Sequence, residues 1–251
     1  MSHIKNAIIP AAGNNKRLET LKLTRILPKT MIPIIGKPIL EYIIGFLAYN
    51  NVQNIYIIVN NKKETIINYF GNGSDFGVNI KYIVQEHVNG IAMAINLTKD
   101  LMSGDFICIL GDTFIRKQRI DNMIKKFYDE NAVVVQALSL EQDESKIRQS
   151  CNVVVSNDDR IVNIVEKPKQ TQTNIRGSGI YVFNQEIFDF ISKTKKTSVR
   201  NEVEITDTIR LIAESNKAYG SWLQFNDINI NVEKDIELAT IIALEHEGDR
   251  Q

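Results

Sequence analysis

Cysteine is scarce in this chain: only Cys108 and Cys151 occur, far apart and with no CxxC spacing. A disulfide framework is therefore not expected, and a reducing compartment is. The three histidines, His3, His87 and His246, stand at no ligand spacing, which argues against a histidine-built zinc site. An excess charge of either sign is also missing, because Lys+Arg 30 balance Asp+Glu 30. Without a global basic field or a polybasic run, neither nucleic acid nor an anionic membrane surface is an expected partner. No apolar stretch approaches the roughly 20 residues of a membrane span, and strand-like sequence begins so close to Met1 that no leader is expected. The protein is expected to be cytoplasmic. Repeats of fixed period are absent, and so is a GxGxxG followed by an acid about 20 residues on, which removes the dinucleotide-dependent oxidoreductases.

What is present is an ordinary globular composition, 43% hydrophobic and 24% charged over 251 residues, ample for one large core. Strand-like and helix-like runs alternate through the first half: strands at 7–9, 55–59, 78–84 and 105–110, helices at 38–50, 63–70 and 91–101. Such alternation predicts an α/β fold with a mixed, mostly parallel central sheet flanked by helices. The second half is less regular. It reads as a helix at 120–130, a strand at 132–138, a polar loop at 141–150, and a hairpin of 152–155 and 160–165 about Asn157-Asp158-Asp159. A strand at 179–183, helices at 185–192 and 205–215, short strands at 218–224 and 228–230 and a helix at 232–247 complete it. We expect one domain over 1–251, with a Rossmann-like nucleotide-binding part at about 1–115 and a smaller β region at about 116–230.

Active sites in parallel sheets lie at the carboxyl ends of the strands. Two features fall there: the loop after the first strand, and Leu110-Gly111-Asp112 after the fourth. The loop runs from Ala11, Ala12 and Gly13 into Lys16, Arg17, Lys22, Arg25 and Lys29. Small residues let backbone N–H groups approach an anion, and the cations beyond counter its charge. The stretch reads as a cradle for a nucleoside triphosphate.

The loop runs Ala11-Ala12-Gly13-Asn14-Asn15-Lys16-Arg17-Leu18, then Pro28-Lys29 and Met31-Ile32-Pro33-Ile34. Further on come Tyr82 with Gln85, Gly90-Ile91-Ala92, Leu110-Gly111-Asp112, Glu166-Lys167-Pro168, Gly179-Ile180-Tyr181 and Glu204-Ile205-Thr206-Asp207. In this joint order the chain resembles the sugar-1-phosphate nucleotidyltransferases, over almost its whole length. The resemblance implies an NTP and a sugar 1-phosphate as substrates, Mg²⁺ as cofactor, and an NDP-sugar and pyrophosphate as products. It implies catalytic roles for Arg17, Lys29 and Asp112, with Ala11, Ala12, Gly13, Asn14, Asn15, Lys16, Gln85, Gly90 and Gly111 around the nucleotide. It assigns Glu166, Lys167 and Gly179, in the β region, to the sugar phosphate, and the metal to Asp112 with either Asn229 or Asp227. Homo-oligomers are a further possibility that the resemblance opens.

The chain departs from the family pattern in the turn, with Asn15 in place of a usual Gly and Lys16 in place of Thr or Ser. The stretch from Arg17 to Lys29 is also longer than usual. Asn tolerates a left-handed backbone, but a hydroxyl contact to phosphate is lost at Lys16. Two other readings therefore stand beside the enzyme: a non-catalytic sugar-nucleotide-binding or regulatory homologue, and a cytidylyltransferase for a non-sugar phosphate such as phosphocholine.

Overall fold

Strand β1 (Asn6–Pro10) carries Ala7, Ile8 and Ile9, all fully buried, as a strand covered on both faces must. The computed structural model describes residues 4–13, 27–61, 63–197, 201–224 and 227–248. After β1 come the short antiparallel pair β2 (Pro33–Ile34) and β3 (Lys37–Pro38), then helix α1 (Ile39–Tyr49). Leu40, Ile43, Ile44 and Leu47 recur at helical spacing and form the buried face of α1. Asn50 closes that helix by donating its amide to the Phe46 carbonyl at 2.9 Å and the Gln118 carbonyl at 2.8 Å.

Strand β4 (Asn54–Val59) then lies parallel to β1, with Ile8 opposite Tyr56 and Pro10 opposite Ile58. Helix α2 (Glu64–Phe70) leads to β5 (Asn79–Val84), parallel to β4. Helix α3 (Ile91–Asn96), the fully buried β6 (Phe106–Ile109) and β7 (Thr113–Phe114) follow. The later elements are α4 (Asp121–Asp129), β8 (Val134–Leu140), α5 (Glu144–Gln149), β9 (Cys151–Val155), β10 (Ile161–Glu166) and β11 (Ile175–Phe183). Then come α6 (Ile187–Lys193), α7 (Ile205–Glu214), β12 (Ala218–Trp222), β13 (Ile228–Asn229) and α8 (Glu233–Gly248). This is the expected α/β class. No helix among the described residues is long and apolar enough to cross a membrane.

The chain divides into two units, and neither is a contiguous segment. One consists of Met1–Glu86, Ile109–Arg119 and Asn226–Gln251, the other of His87–Cys108 and Ile120–Phe225. The first holds the parallel ladder of β1, β4 and β5 together with a small antiparallel pair, β7 with β13. In the second, β9 pairs antiparallel with both β10 and β11, β11 pairs antiparallel with β8, and β12 runs parallel to β8. Residues 109–119 and the C-terminal helix belong to the first unit, where β7 packs on α1, α8 packs on β2, and β13 pairs with β7.

Two local expectations change. The polar stretch expected as a loop contains α5, capped by Asp143, whose carboxylate accepts from the Ser145 N–H at 2.9 Å. A Glu144–Arg148 pair one turn apart supports it. Strand β11 also starts earlier than expected, at Ile175, with a register shift between Gly177 and Tyr181. That irregularity hides the alternation by which a long strand would be recognised.

Gly90 illustrates how closely backbones meet in the second unit. Its φ is +111°, and a Cβ there would lie 2.2 Å from the Val203 carbonyl oxygen. Gly90→Ala is expected to lower the unfolding free energy by at least ~2 kcal/mol through backbone strain and overpacking. Chemical denaturation would measure this; a wild-type midpoint would show that the segment carrying Val203 simply moves aside.

Candidate functional site

Lys29 begins a single 3-10 turn, Lys29–Met31, closed by the Met31 N–H on the Pro28 carbonyl at 2.8 Å. From it the ammonium reaches the Asp112 carboxylate, with Nζ 2.6 Å from Oδ2. The pair joins residues 83 positions apart and is mostly buried on the lysine side, 16% exposed against 32% for the aspartate. An acid at this depth with an exposed edge can hold a second cation or meet a ligand.

The backbone around Asp112 explains its placement. The turn after β6 is closed by the Thr113 N–H on the Leu110 carbonyl at 3.0 Å, and the Asp112 carbonyl accepts from the Ile230 N–H at 2.9 Å. Gly111 donates its N–H to the Pro10 carbonyl at 3.0 Å. A Cβ on Gly111 would come within 2.9 Å of that carbonyl and 3.2 Å of the Ala11 Cα, so only glycine lets the aspartate turn seat on the end of β1.

Strand β13 completes the group. Asn229 stands opposite Thr113, and its Oδ1 accepts from the Thr113 hydroxyl at 3.1 Å. Asp227, two residues earlier, is 6% exposed. The alternation of an extended chain continues to Asn231, whose Oδ1 lies 3.5 Å from the Lys29 ammonium. Asn231 was not among the sequence candidates, and the same two-residue step that linked Asp227 to Asn229 would have found it. Asp235 holds this end in place: its Oδ2 accepts from the N–H groups of Asn231 at 2.7 Å and Val232 at 2.9 Å, ahead of α8. A carboxylate in the first turn of a helix satisfies N–H groups that would otherwise lack partners.

Lys29, Asp112, Gly111 and Asn229 are thus brought together in the first unit, with Asp227 on the same extended segment. Ala11, Ala12 and Gly13 continue from β1; the Ala11 N–H bonds the Ile58 carbonyl at 2.8 Å and Asn60 donates to the Ala12 carbonyl at 3.2 Å. Gly13 is exposed, and a Cβ there would meet nothing within 4 Å. Gln85 follows β5, is 6% exposed, and donates its N–H to the Val59 carbonyl at 2.8 Å. Asn14, Asn15, Lys16 and Arg17 lie outside the described residues.

The oxygen donors fit a hard divalent cation. Among the described residues no three His, Cys, Asp or Glu side chains cluster around a point. An ion here would rest on Asp112, with Asn229 or Asp227 and with ligand oxygens completing the shell, a pattern typical of cations bound together with phosphates. The Lys29 ammonium already sits on the same carboxylate.

The second unit holds the other sequence candidates. Glu166 ends β10, and its Oε1 accepts from the neighbouring Lys167 ammonium at 2.7 Å. Thr206, at the start of α7, directs its hydroxyl to Glu166 Oε2 at 3.5 Å. Lys167 has φ +44°, an uncommon conformation for a residue with a side chain, held by its N–H on the Ser150 carbonyl at 2.7 Å. Gly179 is buried in the irregular stretch of β11, and Gly90 caps α3 against the Val203 backbone.

These motifs were compared with known proteins. The nucleotidyl transferase family pattern matches residues 6–227. The chain belongs to the nucleotidyl transferase family. Among its curated relatives, the bifunctional protein GlmU of Methanococcus aeolicus is 38% identical over 89% of this chain and 51% of its own length. The low-salt glycan biosynthesis nucleotidyltransferase Agl11 of Haloferax volcanii is 32% identical over 85% of this chain and 58% of its own. The chain therefore spans about half the length of the curated relatives it matches. A crystal structure described as a glucose-1-phosphate thymidylyltransferase from Bacillus anthracis superposes with TM-score 0.85 at 24% identity, covering 95% of this chain and 94% of that one. It bears out the fold.

Both cysteines of this family member are buried and unpaired. Burial, with the Glu166 carboxylate as a lesser contribution, pushes the Cys151 thiol up from its usual 9.0 to about 12, and burial alone raises Cys108. A thiol that ionises in the unfolded chain but not in the folded one withdraws stability as pH rises through the interval from about 9 to about 12. The native protein is expected to resist iodoacetamide at pH 8 and to take up two equivalents in denaturant, with its melting temperature falling above pH 9. Mass spectrometry and a pH series of melts would check this; rapid native labelling of Cys151 would contradict it.

Proposed function

We propose that this chain transfers a nucleotidyl group from a nucleoside triphosphate to a sugar 1-phosphate, giving an NDP-sugar and pyrophosphate in a Mg²⁺-dependent reaction. The observation that carries this reading is the Lys29–Asp112 pair, 2.6 Å apart, beside the Ala11 to Gly13 turn at the carboxyl end of β1. A cation and a metal-competent carboxylate are what two mutually repelling anions need before they can react.

In the reaction an oxygen of the sugar phosphate attacks the α-phosphorus, and the bond from that phosphorus to the bridging oxygen of the β-phosphate breaks. Pyrophosphate leaves with the electron pair. No side chain has to exchange a proton, so catalysis consists of positioning and charge neutralisation. Lys29 counters charge at the α-phosphate, and Arg17 is assigned to the β- and γ-phosphates. The sequence Ala11 to Lys16 is assigned to the phosphates, with Lys16 supplying positive charge and Ala11, Ala12, Gly13 and Gly111 leaving room for close approach, and Gln85 offers an amide to the base edge. Mg²⁺ would be held by Asp112 with Asn229 or Asp227, joined by Asn231, and would screen the phosphates. Gly90 would let the backbone approach the nucleotide, and on the acceptor side Glu166 would accept from sugar hydroxyls and Lys167 would bind the phosphate, with Gly179 giving backbone access.

This reading assigns the nucleotide to the part expected at 1–115, extended by the 227–235 segment, and the sugar phosphate to 116–230. A cytoplasmic location and self-association through exposed helices go with it.

Pyrophosphate release should be measured across a panel of triphosphates and sugar 1-phosphates. Asp112→Asn and Lys29→Met are each expected to lower kcat by about a hundredfold or more, with a lowered melting temperature for Asp112→Asn, which leaves the largely buried Lys29 ammonium without its carboxylate, in protein that still folds. Triphosphate binding with no turnover on any acceptor would instead favour a non-catalytic, regulatory homologue. Turnover with phosphocholine but no sugar phosphate would move the acceptor class.

A further inference from the structure

Helix α8 is apolar on two sides. Ala239, Ile242 and Ala243 are buried in the first unit, where the helix packs on β2 and β13. Leu238, Ile241 and Leu244 face the other way and are 37%, 54% and 54% exposed. Apolar side chains scattered singly over a surface are ordinary, but three on one helix at this spacing form a stripe. A surface helix normally keeps its outer side polar.

The charges along the stripe decide what fits it. Lys234, Leu238, Ile241 and Glu245 follow one another at steps of four, three and four residues, the spacing that keeps one line of a helix turned toward a partner helix. Lys234 and Glu245 are both exposed and in no ion pair among the described residues. The order cation, apolar, apolar, anion is symmetric in position about a point between Ala239 and Thr240 and opposite in charge across it. A second copy of the helix laid antiparallel therefore sets Lys234 against Glu245 of the partner subunit, and Leu238 against Ile241 of the partner subunit. A parallel copy would set like charges opposite each other, which repels. An anionic membrane is disfavoured as the occupant, because the exposed Glu233, Glu237 and Glu245 outnumber the exposed Lys234 on this helix.

We propose that the outer face of α8 is a homodimer interface in which two copies of the helix pack antiparallel about a twofold axis near their midpoints. The assignment is independent of the nucleotidyl transfer proposed above. Twofold symmetry makes every contact occur twice, so the dimer holds two Lys234–Glu245 pairs flanking two Leu238–Ile241 contacts. The interface is one helix wide, and the dimer is accordingly reversible and concentration-dependent.

Sedimentation velocity of the full chain over roughly 1 to 200 μM, the range in which so small an interface exchanges, reads the equilibrium. Wild type is expected to pass from monomer toward dimer across that range. Ile241→Glu is expected to stay monomeric throughout, with the melting temperature of the dilute protein unchanged because the side chain lies outside the core. Lys234→Glu and Glu245→Lys each turn two attractions into two repulsions and are each expected to weaken the dimer about tenfold or more. The two reversals together are expected to restore it to within about threefold of wild type. A wild-type chain that is monomeric at the highest concentration overturns the proposal, as does a dimer that Ile241→Glu leaves intact, since its interface then lies elsewhere. Single reversals without effect, or a double variant that fails to recover, overturn the antiparallel pairing. The charge reversals change no apolar side chain, so they decide the matter even where Ile241→Glu fails to fold.

Discussion

The ion pair between Lys29 and Asp112 organises the first unit's site, because it can form only if two distant stretches are placed together, with a third brought beside them. Lys29 comes from a 3-10 turn, Asp112 from the turn after β6, and the 229–231 segment from just before α8. Each is held by bonds other than the Lys29–Asp112 pair: Met31 on Pro28, Gly111 on Pro10 and Ile230 on Asp112 through the backbone, and the Asn231 and Val232 N–H groups on the Asp235 carboxylate. The charges are therefore presented by a scaffold already paired. An electrostatic site needs this, since donors and cations that had to reorganise during the reaction would lose most of their effect.

The second unit is built on a different constraint, the close approach of backbones. Gly90 at φ +111° against Val203 and the irregular, glycine-containing stretch of β11 are places where a side chain would not fit. Glu166 and Lys167 lie at the end of β10, paired with each other and bonded to Thr206 and Ser150 from neighbouring elements. Lys167 keeps an unfavourable φ at this point. Strain of that kind persists only where the surroundings over-determine it.

Much of this was legible in advance, and what was missed shares a cause. Elements with strong periodicity, such as α1, β4 and α7, fall within a residue or two of expectation. Helix α5 was missed because its six residues carry one buried side chain, Ile147, and its stability comes from the Asp143 cap and the Glu144–Arg148 pair. Asn231 was missed for another reason: its residue type does not signal function by itself, and it matters by its 3.5 Å distance to Lys29.

The order of motifs from Ala11 to Asp207 was enough, by sequence alone, to assign the α/β class and the family, since each motif is local and its residue types reflect the chemistry of phosphate and hydroxyl groups. The interleaving of the two units and the approach of Asn231 to Lys29 were decided only by the tertiary structure. They depend on strand pairing between residues more than a hundred positions apart, such as β7 with β13. Long-range register is a property of the packed chain, and no short window of sequence contains it.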